Sequence, residues 1–163
     1  MRADIAVTAP IEALSHTDAD GEARFGTFMI RDFGVLPHTL FAAWAYRFDE
    51  WFANRGAISR RLEVGTPYYF ETTSGGRDHP HYGRILAFEP GRLLEMTWLN
   101  EAGTHGVETT VRVEVGPSPI GARLHLTHQG FRDEVTSNEH GEAWSRILGE
   151  RLAAFLRAES AST

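Results

Sequence analysis

The chain has 163 residues, 42% hydrophobic and 23% charged, with no cysteine. These figures fit one domain with a packed interior and disfavour disorder, coiled coil, disulfide scaffolds and thiolate chemistry. A net charge of −6, from 22 acidic and 16 scattered basic residues, argues against a nucleic-acid binder, which needs clustered cations to displace phosphate counterions.

Residues 1–23 are polar and aperiodic and close on Asp18-Ala19-Asp20-Gly21, so they read as an N-terminal arm or edge extension to a single domain over 24–159. They hold no apolar run of signal-peptide length, and no window of the chain is long enough to span a bilayer. Membrane insertion and secretion are therefore not expected, and a cysteine-free chain suits a reducing cytoplasm. Arg24–Phe33 sets Phe25, Thr27 and Met29 against Phe28 and Ile30, the alternation of a first strand ended by Gly34. The period then changes. Leu40, Phe41, Trp44, Phe48, Trp51 and Phe52 recur at three- and four-residue intervals, and Pro37 sits where a first helical turn tolerates it, predicting two short helices with a bend near Ala45–Arg47.

From Ile58 to His128 turn signals fall at Gly65-Thr66-Pro67, Ser74-Gly75-Gly76, Glu89-Pro90-Gly91, Glu101-Ala102-Gly103 and Gly116-Pro117-Ser118-Pro119. With no helical period between them, they predict an antiparallel meander of six strands. Finally, Gly141–Glu159 carries Trp144, Ile147, Leu148, Leu152, Phe155 and Leu156 on one stripe, with Glu142, Arg146, Glu150 and Arg157 opposite. That is a long amphipathic helix. The order predicts an α+β domain: a curved antiparallel sheet wrapped around a long C-terminal helix, with two short helices after the first strand. A space is expected between helix and sheet wherever side chains do not fill it.

Strand parity nominates the residues facing that space. Leu94, Met96 and Trp98 share one face of their strand; Val107, Thr109, Val111 and Val113 share another, leaving Glu108 outward; Leu124, Leu126 and His128 point inward while His125 points out. Tyr68 and Phe70 share a face that excludes Glu71, and the strand through Tyr82 is apolar on both faces, so its phase stays open. With Trp51, Trp144 and Leu148 from the helices, the candidate ligand-binding set is Trp51, Tyr68, Phe70, Tyr82, Met96, Trp98, His128, Trp144 and Leu148. Trp98, Trp144, Leu94 and Met96 read equally well as plain core. Tyr68, Phe70, Tyr82 and Trp51 point more towards a lining, because several large aromatics, some with polar tips, exceed what a small core comfortably satisfies.

Few residues of the sequence point to chemistry. His128, near a strand end, could hydrogen-bond a ligand or act as a general base, or simply anchor the turn into Gln129-Gly130. His79-Pro80-His81 could present two rings on one face, but no third ligand converges and there is no HExxH, so no metal is expected. Ser74 lacks the G-x-S-x-G elbow, and Gly75-Gly76 is not followed by a helix that could cradle phosphate. No cofactor and no catalytic residue is assigned, and whether the chain is an enzyme stays open. Leu86 and Phe88, if they project outward, would offer a surface for a homodimer.

Several runs carry a resemblance: LFAAWAYRFDEWF (Leu40–Phe52), VGTPYYF (Val64–Phe70), GRILAFEPGRLLEMTW (Gly83–Trp98), ETTVRVEV (Glu108–Val115), ARLHLTHQGF (Ala122–Phe131) and GEAWSRILGERLAAFL (Gly141–Leu156). In these the chain resembles the Activator of Hsp90 ATPase homologue 1-like family, part of the START-like (SRPBCC) superfamily of helix-grip folds that also holds polyketide cyclases and birch-allergen-type binders. It departs from the family pattern at Gly65-Thr66, where a glycine pair is usual, and at Gly141, which stands further before the helix tryptophan than usual. The resemblance implies a helix-grip, Bet v 1-like fold and three readings of function. The first is binding of a small hydrophobic or aromatic ligand between helix and sheet, without chemistry. The second is a cyclase-, dehydratase- or hydrolase-like enzyme acting on a polyketide-like substrate. The third is a stress-related protein-interaction module, although the family's chaperone activation belongs to longer proteins with an additional domain.

Overall fold

The computed structural model describes residues 11–161, so the first ten positions of the expected N-terminal arm lie outside the described residues. Within the arm, β1 (Glu12–Thr17) pairs antiparallel with β2 (Ala23–Phe33), setting Glu12 opposite Phe28, and is almost wholly exposed, as an edge strand is. The other strands are β3 (Ile58–Arg60), β4 (Pro67–Ser74), β5 (Arg77–Glu89), β6 (Leu93–Trp98), β7 (Thr109–Ser118) and β8 (Gly121–Phe131). They form one antiparallel sheet in the order β1-β2-β8-β7-β6-β5-β4-β3. After β2 the chain makes α1 (Pro37–Ala45) with proline in its first turn, bends at Tyr46-Arg47, and continues as a 3-10 turn, Phe48–Glu50.

Two elements depart from the sequence reading. The turn expected at Glu101–Gly103 is a short helix, α2 (Glu101–Thr104), because the Asn100 side-chain oxygen accepts the N–H groups of Gly103 and Thr104, at 2.9 and 2.7 Å. The C-terminal helix begins earlier than its apolar stripe, as α3 (Glu134–Ile147), where Asp133 caps the N–H of Thr136 at 2.7 Å. Its first turns are packed by Thr136, Ser137 and Gly141 rather than by large apolar groups, which leaves no hydrophobic period to read. Gly141 is required there: a methyl group would sit 2.6 Å from Thr27 Oγ1.

The helix then widens into a π-turn, Leu148–Leu152, before α4 (Ala153–Ala161). A side chain inserted into the ladder accounts for it. Arg31, 6% exposed, reaches from β2 and donates through Nη1 to the Ser145 carbonyl at 3.1 Å; at Gly149 a side chain would meet that Nη1 at 2.6 Å.

The phase of β5, open at the sequence level, is decided by pairing. His81 and Ile85 face the helix and are buried, while Tyr82 and Leu86 face outward at 50% and 41% exposure. A bulge between Ile85 and Ala87 then flips the strand, so Phe88, expected outward beside Leu86, turns in and packs 6.1 Å from Phe41. The other face of the sheet is polar, with Arg112 held by Glu95 and Glu114 and Arg123 by Asp32.

Candidate functional site

The interior lies between the sheet and α3, roofed by α1 and the 3-10 turn. Parity places Tyr68 and Phe70 of β4, Met96 and Trp98 of β6 and His128 of β8 on the inner face, each 5% exposed or less. Trp144 and Leu148 meet them from the helix, and Trp51 from the roof at 7% exposure. Eight of the nine residues nominated from sequence therefore come together, and Tyr82 does not, its strand phase having turned it outward against Tyr69 at 5.3 Å. Trp98 is the hub: its ring lies 5.1 Å from Phe70, 5.6 Å from Trp144, 5.7 Å from Phe52 and 5.9 Å from His128. Phe52 stacks on Trp144 at 5.4 Å, and Trp44 packs against Phe48, Trp51 and Trp144.

Sequence reasoning placed Trp44, Phe48 and Phe52 on a helix but not at the site; their recurrence with Trp51 was the available signal. It passed over Arg60, since a three-residue strand is too short to show a phase, and weighed His81 only as a metal ligand.

Two hydrogen-bond chains run through these rings. Trp144 Nε1–H donates to His128 Nδ1 at 3.0 Å, which leaves the proton on His128 Nε2, donated to Thr109 Oγ1 at 2.7 Å; that hydroxyl donates to the Trp98 carbonyl at 2.7 Å. Burial, with His140 and His81 nearby, holds His128 well below its ordinary pKa, so the ring is neutral. Both its nitrogens are engaged, so it could act as a base only by giving up the tryptophan. The geometry makes it a structural histidine.

His81 is held in the opposite tautomer. Its Nδ1–H donates to the His79 carbonyl at 2.9 Å, and Nε2 accepts from Asn100 Nδ2 at 2.7 Å. Asn100 cannot rotate to offer its oxygen, because that oxygen caps α2. Burial pulls His81 down to about 4. Its ring stacks on Phe70 at 4.5 Å and meets Trp98 edge-on at 5.2 Å. Tyr68 gives its hydroxyl proton to the Thr97 carbonyl, and Trp51 Nε1 donates to the Ala43 carbonyl at 2.8 Å.

Thr27, Ser118 and Ser137 have buried hydroxyls without a partner among the described residues, and among the aromatic rings one donor is in the same state. Trp44 Nε1, on a fully buried ring, has no hydrogen-bond partner among the described residues. Below the roof, Ala45, Tyr46, Phe48, Asp49, Ile58 and Arg60 line an opening of about 110 Å³. Larger concavities lie on the outer surface: about 650 Å³ beside Tyr82 and α2, and about 360 Å³ beside Arg123 and His125. No group of metal-ligating side chains is assembled among the described residues, and no helix among them is long and apolar enough to cross a membrane.

A curved antiparallel sheet closed over a long C-terminal helix, with an aromatic interior between them, defines a helix-grip, START-like domain. The chain belongs to the family of Activator of Hsp90 ATPase homolog 1-like proteins, whose model matches residues 35–157. Among solved structures, CalU16 from Micromonospora echinospora superposes with a TM-score of 0.70 at 22% identity, over 93% of this chain and 84% of its own. The AHSA1 protein from Silicibacter pomeroyi gives 0.68 at 26% identity, over 82% of this chain and 99% of that one. A protein from Rhizobium loti gives 0.64 at 24%, over 90% and 99%. No curated protein matches the chain.

Proposed function

We propose that this domain is a binding module that takes a small hydrophobic or aromatic molecule among the rings between the C-terminal helix and the sheet, without a reaction of its own. The observation that carries the reading is Trp44 Nε1, a fully buried donor with no acceptor among the described residues, set in a cluster of aromatic rings. Leaving such a donor unpaired costs about 1–3 kcal/mol. A carbonyl or hydroxyl on an enclosed aromatic molecule would satisfy it. The opening under the roof, about 110 Å³, is smaller than the ~300 Å³ or more of a small-molecule pocket. Binding on this reading moves Phe48 and Phe52, the rings between that opening and Trp98.

All four tryptophans line this interior, so intrinsic fluorescence reports its occupancy directly. The test is native mass spectrometry of the purified protein, then fluorescence titration and thermal shift against aromatic, polyketide-like and fatty-acid compounds. A bound compound at a hundred times its Kd adds about 2.7 kcal/mol of stability. Trp44→Phe keeps a smaller aromatic ring and removes the donor, so the reading expects it to weaken a hydrogen-bonding ligand about tenfold while the fold survives. No co-purifying compound, no emission change and no thermal shift across the panel would reject the binding reading.

A further inference from the structure

Resting on that reading, we infer that the ligand carries a single carboxylate and that Arg60 receives it under the roof, with the hydrophobic body of the molecule lying toward Phe48, Phe52 and Trp98. Arg60 stands on β3 opposite Tyr68, so its side chain runs beneath the end of α1. Its Nη2 donates to the carbonyls of Trp44 and Ala45, the latter at 2.9 Å, and its Nη1 reaches Met96 Sδ at 3.9 Å. The guanidinium carbon lies 5.3 Å from the centre of the Phe48 ring.

Among the described residues, these contacts leave Nε–H and one Nη1–H without an acceptor, and no carboxylate lies within salt-bridge distance of Arg60. Arg47, Arg112 and Arg123 each hold at least one carboxylate. Arg60 is half-buried, and an anion that takes up its remaining donors would make charge-assisted hydrogen bonds there. Burial pulls Arg60 down to about 10, so it stays cationic at neutral pH.

The same opening explains why the anion should carry one charge. Asp49 shares the rim with Arg60, and its Oδ2 is already bound to the Gly56 N–H at 2.9 Å. A dianionic phosphate would double both the attraction to Arg60 and the repulsion from Asp49, while its desolvation cost, which rises as the square of the charge, would grow about fourfold, so a single charge is favoured. The cationic edge and the Phe48 ring face the same opening, which matches an acid end joined to an apolar body.

The experiment uses matched probes differing only in charge: hydrocinnamate against hydrocinnamamide, and decanoate against decanamide, titrated at neutral pH by tryptophan fluorescence and calorimetry. The acid of each pair should bind about 10–100-fold more tightly than its amide. Arg60→Gln should abolish that preference, bringing acid and amide of each pair to equal affinity, and Arg60→Lys, which keeps the charge and guards against a folding defect, should retain part of it. Equal binding of acid and amide by the unaltered protein overturns the carboxylate inference and leaves the binding module standing. An acid preference that survives Arg60→Gln overturns Arg60 as the anchor. No binding by either member of either pair overturns the inference together with the reading it rests on.

Discussion

Acid should destabilise this protein through its interior histidines well before its carboxylates titrate. In the folded chain His81 titrates near 4 rather than at its ordinary 6.5, because burial and the fixed Asn100 N–H donor leave no place for a second proton. The unfolded chain therefore binds more protons between those values, and stability conferred by the neutral ring is full above about pH 6.5 and lost as pH falls toward 4. A separation of that size amounts to about 3 kcal/mol, of which about 2 kcal/mol is gone by about pH 5. His128 and His140 are lowered too, by burial first, and add to the loss in the same direction. The carboxylates with lowered values, Glu50 and Glu159 beside Arg47 among them, lose their contribution only at lower pH, so the window between neutrality and about pH 5 belongs to the histidines. The assay is urea denaturation followed by circular dichroism at neutral pH and near pH 5, at constant ionic strength, for the natural chain and for His81→Gln. The natural chain should lose at least about 2 kcal/mol, and the variant should lose about 2 kcal/mol less. Equal pH dependence in the two proteins would refute the assignment of a neutral, donor-facing His81.

Three further outcomes follow from the same contacts. Asn100→Ala removes the α2 cap and the donor facing His81 together; about 2 kcal/mol should be lost at neutral pH, and the His81 resonance should titrate at a higher pH by NMR. Trp144→Phe keeps a ring against Phe52 and Trp98 but orphans His128 Nδ1, costing about 2 kcal/mol by urea denaturation, and an unchanged midpoint would show that the hydrogen bond carries nothing. Gly83→Ala should destabilise by about 3 kcal/mol although alanine is the better strand residue, since its methyl group would meet the Thr97 carbonyl and lie 2.6 Å from Tyr68 Cζ; a melting temperature equal to the natural protein's would contradict that close approach.

The α+β class, the helix after the first strand with its bend at Tyr46-Arg47, the six-strand meander and the C-terminal helix were legible because each rests on a local period: two in strands, three to four in helices. The inner faces of β4, β6, β7 and β8 followed from the same alternation, which brought Tyr68, Phe70, Met96, Trp98 and His128 to one interior. Where alternation was ambiguous, the sequence could not choose: β5 is apolar on both faces, and only its pairing with β4 and β6, with a bulge after Ile85, puts His81 inside, Tyr82 outside and Phe88 back in.

Side-chain state was beyond the sequence altogether. That His128 is locked between Trp144 and Thr109, that His81 faces an amide whose oxygen is committed to α2, and that Arg60 is tied to the last carbonyls of α1 all depend on partners between 15 and 19 positions away in the chain. Arg31 and the π-turn it accompanies span a still longer separation, from β2 to Ser145. Periodicity reports which face of an element is apolar, because burial acts on each element as a whole. Tautomer, orphaned donor and unpaired cation are settled by which atoms meet across the interior, and those meetings exist only once the sheet has closed over its helix.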